Sequence, residues 1–331
     1  MIVSPEEALR VFNKLPNKLQ SFYFHPQYVI DDALSKQDLQ PIFFTFERSD
    51  AIYYHAFHLG KVPNTHYYDI QSPYGYGGPL YVGKEDFIIE AIEKYKQWCL
   101  DHNVLVEFVR FHPLLKNENQ YYGQVYKNRQ TVYIDLKTEE LFSEFSTRVR
   151  TAIRKAEKSN VNIVFSKSQA YIDQFIQMYT SLMDKKNAGK DYFFHQKYFS
   201  ELLKHENVYL LSAVNDNSQV IGSSIFFTYG QIAEYHLSTS NDEGRKKNVA
   251  NLLLYEFAKY AQKRKYRVLY LGGGTNSSDE NSLLFFKRGF SKNEAPFYIG
   301  SFKHNEKVYG ELRTEYIARE PKKESYILFY R

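Results

Sequence analysis

The amino-acid sequence predicts an α/β (α+β) fold of two similar domains, each with a mixed, mostly antiparallel sheet flanked by helices. Apolar runs of strand length are separated by short polar turns, and longer amphipathic segments follow them. This order occurs twice along the chain, which indicates two related units. The length of 331 residues agrees, because an average domain has roughly 100–200 residues.

The second half of the chain shows the pattern most clearly. Three apolar runs predict an antiparallel meander: 208–214, 220–229 and 232–240. After the meander we expect a helix over 246–264 and a strand over 267–271. A glycine-rich loop at 272–274, a short helix over 283–287 and a last strand over 297–302 should follow.

The first half repeats this order. Its predicted strands are 41–47, 51–59 and 66–70. A glycine-rich loop at 72–79, a helix over 85–101 and a closing strand over 104–111 follow them. We therefore predict two domains, 1–140 and 141–331, with a connecting helix over 138–159 that Thr138 caps.

Composition limits the class of protein. Hydrophobic residues make up 43% of the chain and charged residues 24%, which argues against general disorder. The net charge of +5 is compatible with an anionic ligand such as a pyrophosphate or tRNA, without indicating which. The 30 tyrosines and 26 phenylalanines fit either a wide, partly hydrated cleft or an AT-rich genome.

The N-terminus and the single cysteine indicate a cytoplasmic protein. Ser4 and Pro5 predict the start of an amphipathic helix rather than a signal peptide, and no apolar run of about 18 residues predicts a membrane span. Cys99 is expected to be a core thiol. Because it is the only cysteine, we expect no disulfide, no cysteine-based zinc site and no metal.

The chain resembles a known protein family through several motifs. Each motif is weak alone, but together and in this order they are fairly specific. They are Asp69-x-x-Ser72-Pro73-Tyr74-Gly75-Tyr76-Gly77-Gly78, Arg110-Phe111-His112-Pro113, Arg150-x-x-x-Arg154-Lys155-Ala156, Glu234-Tyr235-His236-Leu237-Ser238, and Leu271-Gly272-Gly273-Gly274 followed by Phe286-Lys287-x-Gly289-Phe290. With these motifs the chain resembles the FemABX family, in its short form without a coiled-coil arm, and the related BioF2-like acetyltransferases. The resemblance implies two tandem acyl-CoA N-acyltransferase (GNAT-like) domains, the first on the acceptor side and the second catalytic and on the donor side.

The resemblance also implies catalytic residues. Lys287 takes the place of a lysine that stabilises the oxyanion formed when an amine attacks the acyl donor, unless it is a solvated surface lysine. Tyr235 and His236 are neighbours on a strand, so only one of them can face the cleft. Glu234 shares a face with His236 and offers a proton acceptor for an ammonium nucleophile. A packing role for His236 is the alternative.

The candidates for binding the acceptor lie in both halves: Tyr198, Tyr74, Tyr76, Asp69, Arg110, Arg150 and Arg154. Tyr198 resembles a pocket tyrosine of the family, although packing explains it equally well. The tyrosines of loop 72–79 are expected to project into a groove between the domains, or to belong to a rigid turn. The arginines can hold phosphates or carboxylates, but a solvated helix face explains two of them nearly as well.

The candidates for binding the donor are Arg245, Lys246, Asn248, Gly272, Gly273 and Gly274. Segment 245–250 stands where related enzymes wrap the pyrophosphate of acyl-CoA, and cations at a helix N-terminus suit an anion. Asn248 replaces the middle glycine of that motif, which weakens the prediction of CoA binding. The three glycines predict a sharp turn beside a ligand. Asp279 and Glu280 are expected to begin the next helix.

These observations predict an acyltransferase that forms an amide on an amine of a cell-envelope precursor. The first donor hypothesis is aminoacyl-tRNA with a peptidoglycan precursor as acceptor. The alternatives are acyl-CoA with an amino sugar or polysaccharide precursor, and a non-catalytic protein that binds such precursors. No tightly bound cofactor is expected. A lipid-linked acceptor would bring the protein into peripheral contact with a membrane, and the sequence does not set the oligomeric state.

Overall fold

The computed structural model describes residues 1–36, 38–276, 278 and 280–331. Its helices are α1 (Pro5–Lys14), α2 (Pro26–Ala33), α3 (Glu85–Asp101), α4 (Leu141–Glu144), α5 (Thr147–Glu157), α6 (Gln169–Lys185), α7 (Gln196–Leu202), α8 (Asp242–Lys246), α9 (Val249–Lys263), α10 (Ser282–Arg288) and α11 (Glu306–Arg319). Its strands are β1 (Leu39–Arg48), β2 (Ala51–Lys61), β3 (Tyr68–Gln71), β4 (Leu80–Val82), β5 (Val104–Arg110), β6 (Gln124–Asp135), β7 (Asn162–Phe165), β8 (Val208–Val214), β9 (Val220–Tyr229), β10 (Ile232–Ser240), β11 (Val268–Gly273) and β12 (Glu294–Lys303).

The residues form two compact units that do not divide the chain at a single point. The first unit comprises Met1–Leu19, Tyr23–Asn128 and Pro296–Arg331, and the second comprises Gln20–Phe22 and Arg129–Ala295. The predicted division at residue 140 therefore differs from the structure at the C-terminal end. The reason is that β12 pairs with β5 from Ile299 to Lys303, and that α11 buries Tyr309 in a first-unit cluster.

The sheet of the first unit runs in the order β1-β2-β3-β5-β12, and β4 pairs with β2. Strands β1, β2 and β3 form the predicted antiparallel meander. Strand β5 is parallel to β3, because α3 carries the chain back across the sheet. The helix buries Phe87, Ala91, Tyr95 and Cys99 in the apolar core, which confirms the core position of the cysteine.

The sheet of the second unit repeats this topology in the order β6-β11-β10-β9-β8-β7. Strands β8, β9 and β10 form an antiparallel meander, and α9 leads to β11, which is parallel to β10. The residues of α9, including Leu253 and Phe257, are buried against those of β9 and α5 in one core cluster. The predicted order of elements is thus confirmed in both halves of the chain.

Several predicted helix boundaries are wrong in detail. The connecting segment is not one helix capped by Thr138 but a short α4 and then α5, because Ser146 caps α5 and its hydroxyl accepts a hydrogen bond from the Val149 amide. The predicted helix over 246–264 is two helices, because Asn248 adopts a left-handed conformation (φ 58°) between α8 and α9. Helix α1 does begin at Pro5, with Ser4 as its cap.

A substitution at Gly244 in α8 tests how closely this helix packs against the sheet. A Cβ atom at this position would lie 2.0 Å from the carbonyl oxygen of Ile221, which is backbone and has little room to move. We expect Gly244→Ala to lower the free energy of unfolding by about 1–3 kcal/mol, as overpacking does. Urea titration followed by circular dichroism measures the change.

Gly310→Ala in α11 is the matched control. A Cβ atom there would have nothing within 4 Å, so the alanine should stabilise its helix by about 0.5–1 kcal/mol. Equal stability losses in the two variants would contradict the close approach of α8 to β9.

Candidate active site

The candidate site lies in the second unit, where β10 and β11 stop pairing. The parallel ladder joins Ile232–Glu234 to Val268–Tyr270, and β10 then continues to Ser240 without a further described pair to β11. Irregularities in the neighbouring ladders mark the same level, one between Tyr235 and Leu237 and one between Tyr270 and Gly272. The pairing of the two strands therefore ends at the level of these irregularities, where bulges increase strand twist.

Lys287 on α10 lies at the end of β11. Its side chain is 7% exposed, and the Nζ atom donates a hydrogen bond of 2.7 Å to the carbonyl oxygen of Gly273. Burial, and to a lesser extent the positive charge of Arg129, together lower the pKa of this ammonium to about 7. Near neutral pH Lys287 therefore exchanges readily between its charged and neutral forms, which an ordinary surface lysine does not do.

The end of β11 is held by a second cation that sequence reasoning missed. Arg129 donates a hydrogen bond of 2.8 Å from Nη1 to the carbonyl oxygen of Gly274. Lys287 and Arg129 thus bind successive carbonyls at the same strand end. Gly272 lies at the irregularity in the β11–β6 ladder and has φ 76°, a conformation that disfavours other residues.

The three glycines predicted to form a loop are only partly a loop. Gly272 and Gly273 belong to β11, and only Gly274 follows it. Helix α10 begins after an Asn281 cap, whose Oδ1 accepts hydrogen bonds from the amides of Leu283 and Leu284. The predicted start at Asp279 and Glu280 is therefore wrong for Glu280, which precedes the cap, while Asp279 lies outside the described residues.

Tyr235 and its neighbours on β10 point to opposite faces. The ring of Tyr235 packs beside Phe226, and the Nζ of Lys287 lies 6.0 Å from the ring centroid. Burial raises the pKa of the Tyr235 hydroxyl, so this group stays protonated at neutral pH. Lys287 and Tyr235 are therefore brought together on the face that α9 and α10 cover.

His236 and Glu234 have different partners. The Nε2 of His236 lies 2.7 Å from the hydroxyl of Tyr198, and its ring stacks on Phe227. Glu234 is fully buried, and both of its carboxylate oxygens accept from the Ser21 hydroxyl, at 2.8 and 3.0 Å. The structure thus pairs the predicted residues His236 and Tyr198, and separates them from Lys287 by the strand itself.

The segment predicted to bind a donor pyrophosphate begins with paired charges. Arg245 forms an ion pair with Asp242 and also donates 2.7 Å to the carbonyl oxygen of Ser240. Lys247 pairs with Glu243 at 3.0 Å, whereas Lys246 is exposed. A cavity of about 300 Å³ adjoins this segment, and its lining includes Arg245 and Lys185.

Arg150 and Arg154 in α5 are engaged within their own segment. Arg150 donates to the carbonyl oxygens of Ser143 and Phe145, at the end of α4. The guanidinium of Arg154 lies 5.2 Å from the ring of Phe142. The helix-face position predicted for both arginines is present, but their described contacts stabilise the α4–α5 turn.

The candidates of the first unit lie around loop 72–79. The Tyr74 amide donates to Asp32, and its carbonyl accepts from Tyr28, so the loop is firmly held. The ring of Tyr76 packs edge-on against His112, and the guanidinium of Arg110 lies 5.8 Å from the ring of Tyr74.

Asp69 is occupied by a partner within the first unit. It is fully buried, and its Oδ2 accepts hydrogen bonds from Nη2 and Nε of Arg331 at 2.6 and 3.0 Å. Removing Arg331 would leave the buried carboxylate of Asp69 without this compensating charge. This arrangement fits a structural ion pair better than the predicted contact with a substrate.

A family model described as an acetyltransferase (GNAT) domain matches residues 143–288. The chain contains a GNAT acyltransferase domain. This match covers β10, β11 and Lys287, and it begins in α4. A comparison with curated protein sequences gives no match.

Solved structures extend the similarity from this GNAT domain to the whole chain. FemX has a TM-score of 0.75 at 13% identity, over 94% of this chain and 99% of that one. The C-terminal domain of a putative lysylphosphatidylglycerol synthetase from Agrobacterium fabrum has a TM-score of 0.62 at 14% identity, over 94% and 95%. A tandem GNAT protein from the clavulanic acid biosynthesis pathway has a TM-score of 0.50 at 8% identity, over 92% and 98%. The predicted resemblance to FemABX-like tandem GNAT proteins is confirmed in the fold.

The buried state of Lys287 in the GNAT domain has a measurable consequence for stability. Its pKa is about 7 in the folded state and near 10.5 when exposed, so the unfolded state binds more protons between these values. The stability of the wild type should therefore rise with pH relative to Lys287→Met, by about 2 kcal/mol from about pH 7 to about pH 9. Urea denaturation at the two pH values measures this difference.

Lys292→Met removes an exposed lysine of the same unit and serves as the control. It should keep the pH dependence of the wild type. If the free energy of unfolding of the wild type and of Lys287→Met depended equally on pH, no titrating ammonium would be buried at position 287.

Proposed function

We propose that this chain transfers an aminoacyl group from aminoacyl-tRNA to an amine of a cell-envelope precursor. The observation that carries the acyl-transfer step is the position of Lys287. Its Nζ lies at the Gly273 carbonyl, where β10 and β11 separate, in a site with little water. One hydrogen bond to Gly273 leaves two N–H groups of the ammonium to bind an oxyanion.

In the proposed reaction a neutral amine attacks the ester carbonyl carbon of the donor. The C–N bond forms, and the negative charge that develops on the carbonyl oxygen is stabilised by the Lys287 ammonium. Collapse of the intermediate breaks the C–O bond, the leaving oxygen takes up a proton, and the nucleophile loses one. With a pKa of about 7, Lys287 is suited to give the first of these protons and to accept the second.

The charges around α8 favour aminoacyl-tRNA over acyl-CoA. Wrapping a pyrophosphate requires free cations and free amides at a helix N-terminus. Here Arg245 is paired with Asp242 and Lys247 with Glu243, so two of the three basic side chains already have acidic partners. Binding a pyrophosphate would have to break these pairs or tolerate their carboxylates.

The acceptor is inferred from the whole-chain similarity. The FemABX resemblance implies a peptidoglycan precursor, and the name of the lysylphosphatidylglycerol synthetase denotes an aminoacylated phospholipid. We propose an amine on such an envelope building block as the nucleophile. No helix within the described residues combines the length and apolarity needed to cross a bilayer, so contact with a lipid-linked acceptor would be made from the membrane surface.

Acyl-CoA is the second candidate donor, and two observations favour it. The family model that matches residues 143–288 is that of an acetyltransferase domain. In addition, the left-handed Asn248 lets α9 begin sharply after a basic turn, without a side chain capping its first amides. An N-acetyltransferase acting on an amino sugar or polysaccharide precursor is the corresponding function.

Kinetics of Lys287 variants test the catalytic role. Lys287→Met should lower kcat about 100-fold, because the loss of a single oxyanion donor has an effect of about this size. Lys292→Met, with its exposed side chain, should retain full activity. Full activity of Lys287→Met with a donor that the wild type uses would refute the proposed role.

The pH profile separates the two ways in which Lys287 can act. If the charged form stabilises the oxyanion, kcat should fall above a pKa of about 7, and this fall should disappear in Lys287→Arg because guanidinium remains charged. If the neutral amine acts only as a base, kcat should instead fall below that pKa in the wild type.

Donor identity is tested by thermal unfolding with each donor. An aminoacyl-tRNA, or a non-hydrolysable analogue of its aminoacylated end, should raise the Tm of the protein because ligands stabilise the state that they bind. Acetyl-CoA at the same concentration should not. A shift with acetyl-CoA alone would favour the second candidate donor.

A further inference from the structure

Three side chains of metal-ligand type meet in the core of the first unit. They are Cys99 of α3, Glu107 of β5 and His304, which follows β12, and one ligand atom from each lies within 4.8 Å of the other two. Cys99 and Glu107 are fully buried, and the His304 side chain is 1% exposed. Sulfur, nitrogen and oxygen donors from three separate elements therefore converge at one place that water barely reaches.

The surrounding core contains more polar atoms than it has partners for. Within the described residues, the hydroxyl of Tyr53 and the Nδ1 of His55 are buried without a hydrogen-bond partner. Both residues lie on β2, two positions apart, and both interact electrostatically with Glu107. Unsatisfied buried polar groups are rare in folded proteins, and a bound ion or water commonly accounts for them.

Tyrosines support the carboxylate from the opposite side. The hydroxyl of Tyr122 donates to Oε1 of Glu107, and the hydroxyl of Tyr121 donates to Oε2 at 3.2 Å. The Nε2 of His304 lies 2.7 Å from Oε1 of the same carboxylate, and a nitrogen that binds the ion would give up that contact. The two tyrosine hydroxyls are partners of the kind that orient a ligating carboxylate in metal sites.

We propose that Cys99, Glu107 and His304 bind a divalent transition metal ion of the zinc class. Thiolate, imidazole and carboxylate are the donors that zinc takes in proteins. A thiolate and a carboxylate together balance the two positive charges of the ion. The site would join α3, β5 and the segment after β12.

Neighbouring residues in the sequence do not indicate this site. The single cysteine led us to expect no cysteine-based zinc site and no metal, and the proposal departs from that expectation because a mixed ligand set needs only one cysteine. The ligands stand 8 and 197 positions apart, with no short motif between them, so only the fold brings them together. The proposal is independent of the transfer reaction, since none of these residues belongs to the candidate active site.

Metal analysis of the full chain tests the proposal. Protein purified without chelators should contain about one equivalent of zinc by mass spectrometry of the metal, and Cys99→Ser and His304→Gln should lose most of it. His58→Gln is the matched control, because His58 is a fully buried histidine of the same unit that hydrogen-bonds to Val29 instead. His58→Gln should keep the metal of the wild type.

Cobalt substitution gives a readout that does not depend on how well the variants fold. Wild-type protein stripped of metal and loaded with Co²⁺ should show a thiolate-to-cobalt charge-transfer band and the visible bands of a four-coordinate ion. A wild type that neither contains zinc nor develops these bands would overturn the proposal, and the cluster would then be a hydrogen-bonded Glu107–His304 pair with buried water.

Discussion

The burial of the Lys287 ammonium is the constraint on which the candidate site depends. Lowering its pKa from 10.5 to about 7 corresponds to about 5 kcal/mol of unfavourable free energy for the charged form. The fold has to offset this cost through the rest of the second unit. It does so with the core under α9 and α10 and with the Asn281 cap that fixes the start of α10.

The strand β10 divides the candidate residues into two groups with different chemistry. On one face Tyr235 lies beside Lys287, where a cation can meet developing negative charge. On the other face His236 contacts Tyr198, and Glu234 is bonded to Ser21. The irregularity between Tyr235 and Leu237 falls where the strand leaves β11.

Local sequence predicted the elements, whereas contacts between distant residues could not be predicted. The two meanders and the crossover helices follow from periodicities that a few neighbouring residues define. Arg129 carried no signal, because its bond to Gly274 spans 145 positions and it lies within an ordinary strand, β6. The assignment of residues 296–331 to the first unit was missed for the same reason. The sequence of β12 predicts a strand but does not indicate that this strand pairs with β5. Lys287 was found only through the family motif.

The distribution of paired and unpaired cations bears most directly on the donor. Arg245 and Lys247 have acidic partners three or four positions earlier in the chain, at Asp242 and Glu243. A count of the basic residues in this segment therefore overestimates its net positive charge. By contrast, Lys287 donates to the carbonyl oxygen of Gly273 at the end of β11. The ion pairs at α8 are the reason for proposing aminoacyl-tRNA as the first candidate donor and acyl-CoA as the second.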